Sequence, residues 1–253
     1  MESYRKLPAY VLLGDPGAGK TAAFEREAEE SGGKYIKARV FAAFEPTAED
    51  KGKTLFIDAL DEMRAGEGDG WTSLAQVGKR LEELGCPRFR LSCREADWLG
   101  ESDSAALKRV SPNGDVVALH LDPLSNSDVI EILHHKNRVP DPDEFVRNAG
   151  EHRLGELLHN PQTLNLLVEA VGGNEWPKSR KEIYEMACHQ LVREESRAHR
   201  DAKREKHHSP ETLLDAAGYL CAIHLLSGIA GFALDEDASD DQHYYWNELT
   251  AHK

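Results

Sequence analysis

The apolar run Ala9-Tyr10-Val11-Leu12-Leu13 feeds directly into Gly14-Asp15-Pro16-Gly17-Ala18-Gly19-Lys20-Thr21. From Thr21 to Glu30 the chain contains no Gly or Pro and is rich in Ala and Glu. A short apolar run reads as a buried strand, and the Ala/Glu stretch as a helix. Strand, glycine loop and helix in that order are what a complete G-x-x-x-x-G-K-[ST] phosphate loop requires. This constrains the fold more than anything else in the chain. It demands a strand whose C-terminal end delivers backbone N–H groups, a helix N-terminus and its dipole to one anion. The expected polyphosphate contacts run from Gly14 through Ala22, with Lys20 on the outer phosphates and the Thr21 hydroxyl on Mg²⁺.

Alternation continues beyond the loop. Candidate strands are Ala9–Leu13, Tyr35–Phe41, Thr54–Ile57, Arg88–Ser92 and Val116–Leu121, with helices at Thr21–Glu30 and Trp71–Leu84. Strands alternating with helices predict a parallel sheet covered on both faces. The continuous runs Val11-Leu12-Leu13 and Leu55-Phe56-Ile57 suit strands buried on both sides. After Pro123 the pattern turns helical. A capped helix is expected from Ser125 or Ser127 to Lys136, then helices at Glu144–Ala149, Arg153–Leu158, Gln162–Val171, Lys178–Arg197 and Leu213–Leu226, with a strand at Ile229–Leu234.

A second element complements the loop. Thr54-Leu55-Phe56-Ile57-Asp58-Ala59-Leu60-Asp61-Glu62 places Asp58 at the end of an apolar run, where a carboxylate can hold the shell of a phosphate-bound Mg²⁺. Asp61 and Glu62 follow, and either can orient or deprotonate an attacking water. Arg94 lies at the end of the strand Arg88–Ser92, on the side where ligands bind open α/β sheets. It can grip a γ-phosphate bidentately, or pair with Glu95 or Asp97. Pro161 suits the first turn of a helix.

Together these motifs resemble the STAND class of P-loop ATPases, NACHT-type domains in particular. The D-x-x-D-E ending of Asp58–Glu62 is similar to that class's Walker B element. Phe89-Arg90-Leu91-Ser92-Cys93-Arg94 resembles its sensor-1 strand, Leu121-Asp122-Pro123-Leu124-Ser125 its core-to-lid junction, and His159-Asn160-Pro161-Gln162-Thr163-Leu164 its lid motif. Trp176-Pro177 through Ile183-Tyr184 resembles the segment leading toward a winged helix. The resemblance implies an ASCE-type P-loop NTPase core over residues 1–124, an α-helical lid over 125–172 and a partial winged-helix-like region over 173–235; the acidic composition of 236–253 reads as a flexible tail. The resemblance also implies ATP/ADP and Mg²⁺ as cofactors, Pro161 near the adenine, Arg94 as γ-phosphate sensor, and a nucleotide-dependent switch in signalling or antiviral defence. Alternatives are an AAA+-like ring-forming remodeller, or a module that holds nucleotide with little turnover. No guanine-specific N-K-x-D motif is present, which favours adenine. The loop's position near Met1 predicts no N-terminal effector, so self-association or protein partners are expected through domains beyond the chain's end.

Composition narrows the partners. Of 253 residues, 31 are Lys or Arg and 45 are Asp or Glu, a net charge of −14. That disfavours nonspecific nucleic-acid binding, which needs a basic face. No apolar run approaches the roughly 20 residues of a membrane helix, and no signal-peptide pattern opens the chain, so a cytoplasmic location is expected. Cys86, Cys93, Cys188 and Cys221 form no C-x-x-C pair and read as reduced thiols. His134-His135 and His207-His208 lack the spacing of a helical zinc pair and read as surface histidines.

Overall fold

A computed structural model describes residues 4–43, 52–64, 70–136, 139–171, 176–193, 209–227, 231–233 and 243–245. The Gly172-Gly173 break, the charged stretch 194–208 with its histidine pair, and Trp246 lie outside the described residues. The chain divides into two compact units, 1–168 and 169–253.

The first unit is built on a parallel sheet of β1 (Ala9–Leu13), β2 (Lys34–Lys37), β3 (Leu55–Asp58), β4 (Phe89–Cys93) and β5 (Val117–His120). Its order is β2-β3-β4-β1-β5. Between the strands run α1 (Lys20–Ser31), α2 (Ala38–Ala43), α3 (Leu60–Arg64), α4 (Gly70–Glu83) and α5 (Glu101–Lys108). Period-two alternation divides the strand side chains between two cores. Ala9, Val11, Leu13, Leu55, Ile57, Phe89, Leu91 and Cys93 join one cluster with residues of α2 to α5. Tyr10 and Phe56 join the other, with Phe24 and Ala28 of α1. There Phe24 meets both rings edge-on, with centroids 6.5 and 5.6 Å away. Both faces are thus covered, as a parallel sheet requires.

The register aligns the C-terminal strand ends. Leu13 pairs with Cys93 and His120, Ile57 with Leu91, and Lys37 with Asp58. The glycine loop, Asp58 and Arg94 therefore emerge along one edge.

Two local expectations are corrected. The strand expected over Tyr35–Phe41 stops at Lys37, and α2 takes over. Ala38, Arg39, Ala42 and Ala43 are helix formers, and the helix buries Ala38, Phe41 and Ala42 on one face while Val40 is exposed. No α-helix spans Arg153–Leu158. Instead, α7 (Pro142–Glu151) ends with Leu154 N–H donating to Ala149 O and Arg153 N–H to Gly150 O, with Arg153 left-handed at φ 60°. This is a Schellman stop with arginine in the usual glycine position. A 3₁₀ turn, Gly155–His159, follows.

Before α7 comes α6 (Asn126–Lys136). Ser125 Oγ accepts from Asp128 N–H, while Asp128 Oδ2 accepts from Ser125 N–H at 2.8 Å, a reciprocal cap. α8 (Pro161–Val171) begins with proline at its first position.

In the second unit, α9 (Arg180–Arg193) packs on α10 (Pro210–Ser227), and β6 (Gly231–Ala233) pairs in parallel with β7 (His243–Tyr245). β7 lies in the stretch read from sequence as a flexible acidic tail. Among the described residues no helix is long and apolar enough to cross a membrane.

Candidate functional site

The loop between β1 and α1 turns on two left-handed glycines, Gly17 (φ 75°) and Gly19 (φ 95°). Gly19 stands immediately before α1 with no side-chain cap, so the first N–H groups of that helix stay available. Backbone of this kind forms an anion-binding hollow. Lys20 folds back over it, its Nζ donating to Gly14 O at 2.5 Å and Asp15 O at 2.9 Å.

Asp58 is the most heavily bonded side chain of the site. Only 1% exposed, it receives Thr21 Oγ1 (2.9 Å), Tyr35 Oη (2.8 Å) and Lys37 Nζ (2.8 Å) on Oδ2, and Ser92 Oγ (2.5 Å) on Oδ1. Burial pushes its pKa up. The bonds from Lys37, Ser92, Tyr35 and Thr21 outweigh that and hold the carboxyl below its ordinary value. Lys37 is affected conversely: burial lowers its pKa, but the Asp58 bond and charge raise it overall. Burial and the Asp58 bond push the Tyr35 phenol up to about 12. Ser92 Oγ also accepts from the N–H of Ala59, which is left-handed at φ 64°. Such a backbone costs a β-carbon residue roughly 1–2 kcal/mol. It turns the chain from the strand end into α3.

The two acidic residues beyond separate sharply. Asp61, buried, accepts from Arg94 Nε at 2.8 Å and from Arg94 N–H at 3.2 Å. Neither sequence-proposed partner of Arg94, Glu95 or Asp97, takes this ion pair. Glu62 is exposed and, among the described residues, makes no hydrogen bond or ion pair. Behind them, Arg64 of α3 pairs with the fully buried Asp103 of α5 at 2.7 Å and donates to Asp97 O. The Cys93 thiol, pushed up to about 12 chiefly by burial, is unsuited to nucleophilic work.

The 159–163 turn closes the other side of the loop. Asn160 Nδ2 donates to Pro16 O at 3.0 Å, while its Oδ1 accepts from Gln162 N–H at 2.9 Å and caps α8. A β-carbon on Gly17 would lie 2.6 Å from Gln162 Cβ, and one on Gly19 3.6 Å from Pro161 Cγ. Leu124 and His159 exchange bonds: Leu124 N–H donates to His159 O at 2.8 Å, and His159 Nδ1 meets Leu124 O at 2.6 Å. Between loop and turn lies a cleft of about 200 Å³ lined by Asp15, Ala18, Asp122, Glu156, His159 and Pro161 among others.

The structure therefore brings Gly14–Ala22, Asp58, Asp61, Glu62, Arg94 and Pro161 to one edge of the sheet. Sequence reasoning missed Tyr35, Lys37, Ser92 and Asn160. Ser92 and Asn160 lay inside quoted motifs, but Tyr35 and Lys37 carried no signal until β2 was placed beside β3.

Fold and site together define a parallel-sheet α/β protein whose glycine loop faces an acidic strand end. No protein-family model matches the chain, and no curated protein matches it. Among solved structures it is similar to AMPPCP-bound DnaA from Aquifex aeolicus, at 17% identity and TM-score 0.40, over 89% of this chain and 77% of that one. It is also similar to an unliganded sugar kinase from Janibacter sp. HTCC2649, at 20% identity and TM-score 0.30, over 47% of this chain and 62% of that one. The chain thus spans less than two thirds of the sugar kinase's length. The functional reading rests on the site's own residues.

Proposed function

We propose that this chain is an ATP-binding module of the P-loop type, with slow hydrolysis, acting as a nucleotide-dependent switch. The observation that carries the reading is the 2.9 Å contact between Thr21 Oγ1, on the first turn after the glycine loop, and Asp58 Oδ2. It joins a hydroxyl and a strand-end carboxylate at one point, beside a loop shaped for phosphate.

That donor set fits Mg²⁺, which binds through one or two protein oxygens while phosphates and waters complete its shell. The described residues hold no group of three or more His, Cys, Asp or Glu that could cage a metal alone, so the nucleotide would supply the remaining ligands. Thr21 and Asp58 would hold the ion, whose charge would offset that developing on the phosphoryl oxygens. Lys20 would exchange the Gly14 and Asp15 carbonyls for the outer phosphates. Glu62, exposed and unengaged, is the better water-positioning carboxylate, since Asp61 is committed to Arg94. Pro161 and the cleft beside Ala18 suit the base.

The sheet order supports an ASCE-type assignment. β4 stands between the loop strand β1 and the acid strand β3, so Arg94 emerges between the loop and Asp58. Slow turnover is supported by the Arg94–Asp61 pair, which Arg94 would have to break to reach a phosphate. A switch is supported by the Asn160–Pro16 bond, through which the loop's conformation reaches α8. The STAND-like signalling role rests on the resemblance carried by the D-x-x-D-E element and, in their order, the sensor-1, junction and lid motifs.

The test is nucleotide binding and steady-state hydrolysis by the wild type, Lys20→Ala and Glu62→Gln. Lys20→Ala should weaken ATP binding at least about tenfold, and Glu62→Gln should bind normally but turn over about 10²-fold more slowly. Unchanged ATP affinity in Lys20→Ala refutes the site. Turnover per chain that climbs steeply with protein concentration would favour the ring-forming alternative.

A further inference from the structure

Lys37 is the charged donor to Asp58 among the described residues, and a phosphate loop and its acid do not require it. It stands at the end of β2, beside Asp58 on β3. Its ammonium lies 2.8 Å from Asp58 Oδ2, the same oxygen that meets the Thr21 hydroxyl. Asp58 is 1% exposed, whereas the Lys37 side chain is 37% exposed. The carboxylate is therefore fixed, while the lysine has an open route to solvent. Oδ1 is occupied separately by Ser92 at 2.5 Å.

We propose that Lys37 is a tethered cation that competes with the divalent metal for Asp58 Oδ2 and so sets the metal dependence of nucleotide binding. The inference rests on the ATP-site reading above. A carboxylate in a low-dielectric edge needs a counter-charge at all times. An ammonium and a divalent ion cannot share one oxygen cheaply, because their repulsion at contact distance is large. Metal entry therefore requires Lys37 to swing outward. Nucleotide without metal leaves Lys37 in place, where its charge helps offset that of the nearby phosphates. The three other donors to Asp58, the hydroxyls of Thr21, Tyr35 and Ser92, are neutral, so of the four only Lys37 can compete by charge.

The experiment measures Mn²⁺ affinity, by electron paramagnetic resonance, in the complex with ADP, and ADP affinity in EDTA, by fluorescence of a labelled analogue. Wild type, Lys37→Met, Lys37→Arg and Tyr35→Phe are compared. Lys37→Met keeps the aliphatic stem without the charge. It should bind Mn²⁺ at least about tenfold more tightly, the factor one lost hydrogen bond to a charged group is worth. It should also bind ADP more weakly in EDTA. Lys37→Arg should stay near wild type, and Tyr35→Phe should shift Mn²⁺ affinity far less than Lys37→Met. If Lys37→Met binds ADP but shows wild-type Mn²⁺ affinity, the competition is refuted and the nucleotide site stands. If wild type binds no ADP, both are refuted. If Lys37→Met fails to fold, a Lys37→Arg protein with Mn²⁺ affinity shifted as far as that of Tyr35→Phe, or less, supports charge competition; a larger shift overturns it.

Discussion

The two banks of the candidate site are built differently. On one, Asp58 is buried at a sheet edge and held by four side chains from α1, β2 and β4. On the other, the 159–163 turn touches the glycine loop through a partly exposed Asn160–Pro16 bond and the close approach of Gln162 and Pro161 to glycines. The first bank is part of the fold's core. The second is a light contact of the kind that opens at little cost, since exposed bonds contribute least to stability. The contrast suits the proposed switch, in which the chemistry would sit on the rigid bank and the signal would pass through the loose one.

The largest effect should come from Asp58→Ala, which leaves Lys37, Tyr35 and Ser92 without their shared acceptor. We expect a loss of about 3 kcal/mol in urea unfolding and no metal-dependent turnover. A loss below about 1 kcal/mol would mean that this bank is no more rigid than the other. Gly17→Ala comes next. Its β-carbon meets Gln162 and its left-handed backbone is strained, so about 1–2 kcal/mol should be lost. The 159–163 turn should be displaced, read as faster hydrogen exchange at the start of α8. Asn160→Ala removes both a helix cap and the bond to Pro16, and should cost about 1 kcal/mol. Its nucleotide affinity should fall more than that small loss would suggest.

The smallest effect is the pH response of the rigid bank. The pKa of Asp58 is lowered in the fold, so its contribution is present above the unfolded value of about 3.9 and fades as pH falls through the folded one. The pKa of Lys37 is raised, so its contribution is complete below about 10.4 and fades only as pH climbs past that. The stability difference between wild type and Asp58→Asn should therefore be flat from about pH 5 to 9 and shrink below about pH 4. A difference that varies between pH 6 and 8 would point to another titrating group.

Much of the rigid bank was legible in the chain because its signals are local. The run Ala9–Leu13 before the glycines, the acid ending Thr54–Ile57 and the arginine after Phe89–Cys93 each stand within a few residues of the strand that positions them. Asn160 and Ser92 were in view but carried no assigned role, since a hydrogen bond across the sheet or onto a loop 144 residues away leaves no periodicity. The strand read over Tyr35–Phe41 shows the limit in the fold. Val40 and Phe41 favour a strand, but burying Ala38, Phe41 and Ala42 on one face favours α2.

The sequence by itself determined a strand, a glycine loop and a helix N-terminus, and a carboxylate at the end of another strand, because each piece is specified by neighbours along the chain. Only the tertiary structure decided what that carboxylate touches. The order β2-β3-β4-β1-β5 sets Lys37 and Tyr35 on one side of Asp58 and Ser92 on the other. The turn of α3 then separates Asp61, buried and paired with Arg94, from the exposed Glu62. Strand order is settled by packing and crossovers between distant segments, and the electrostatics of the site follow from it.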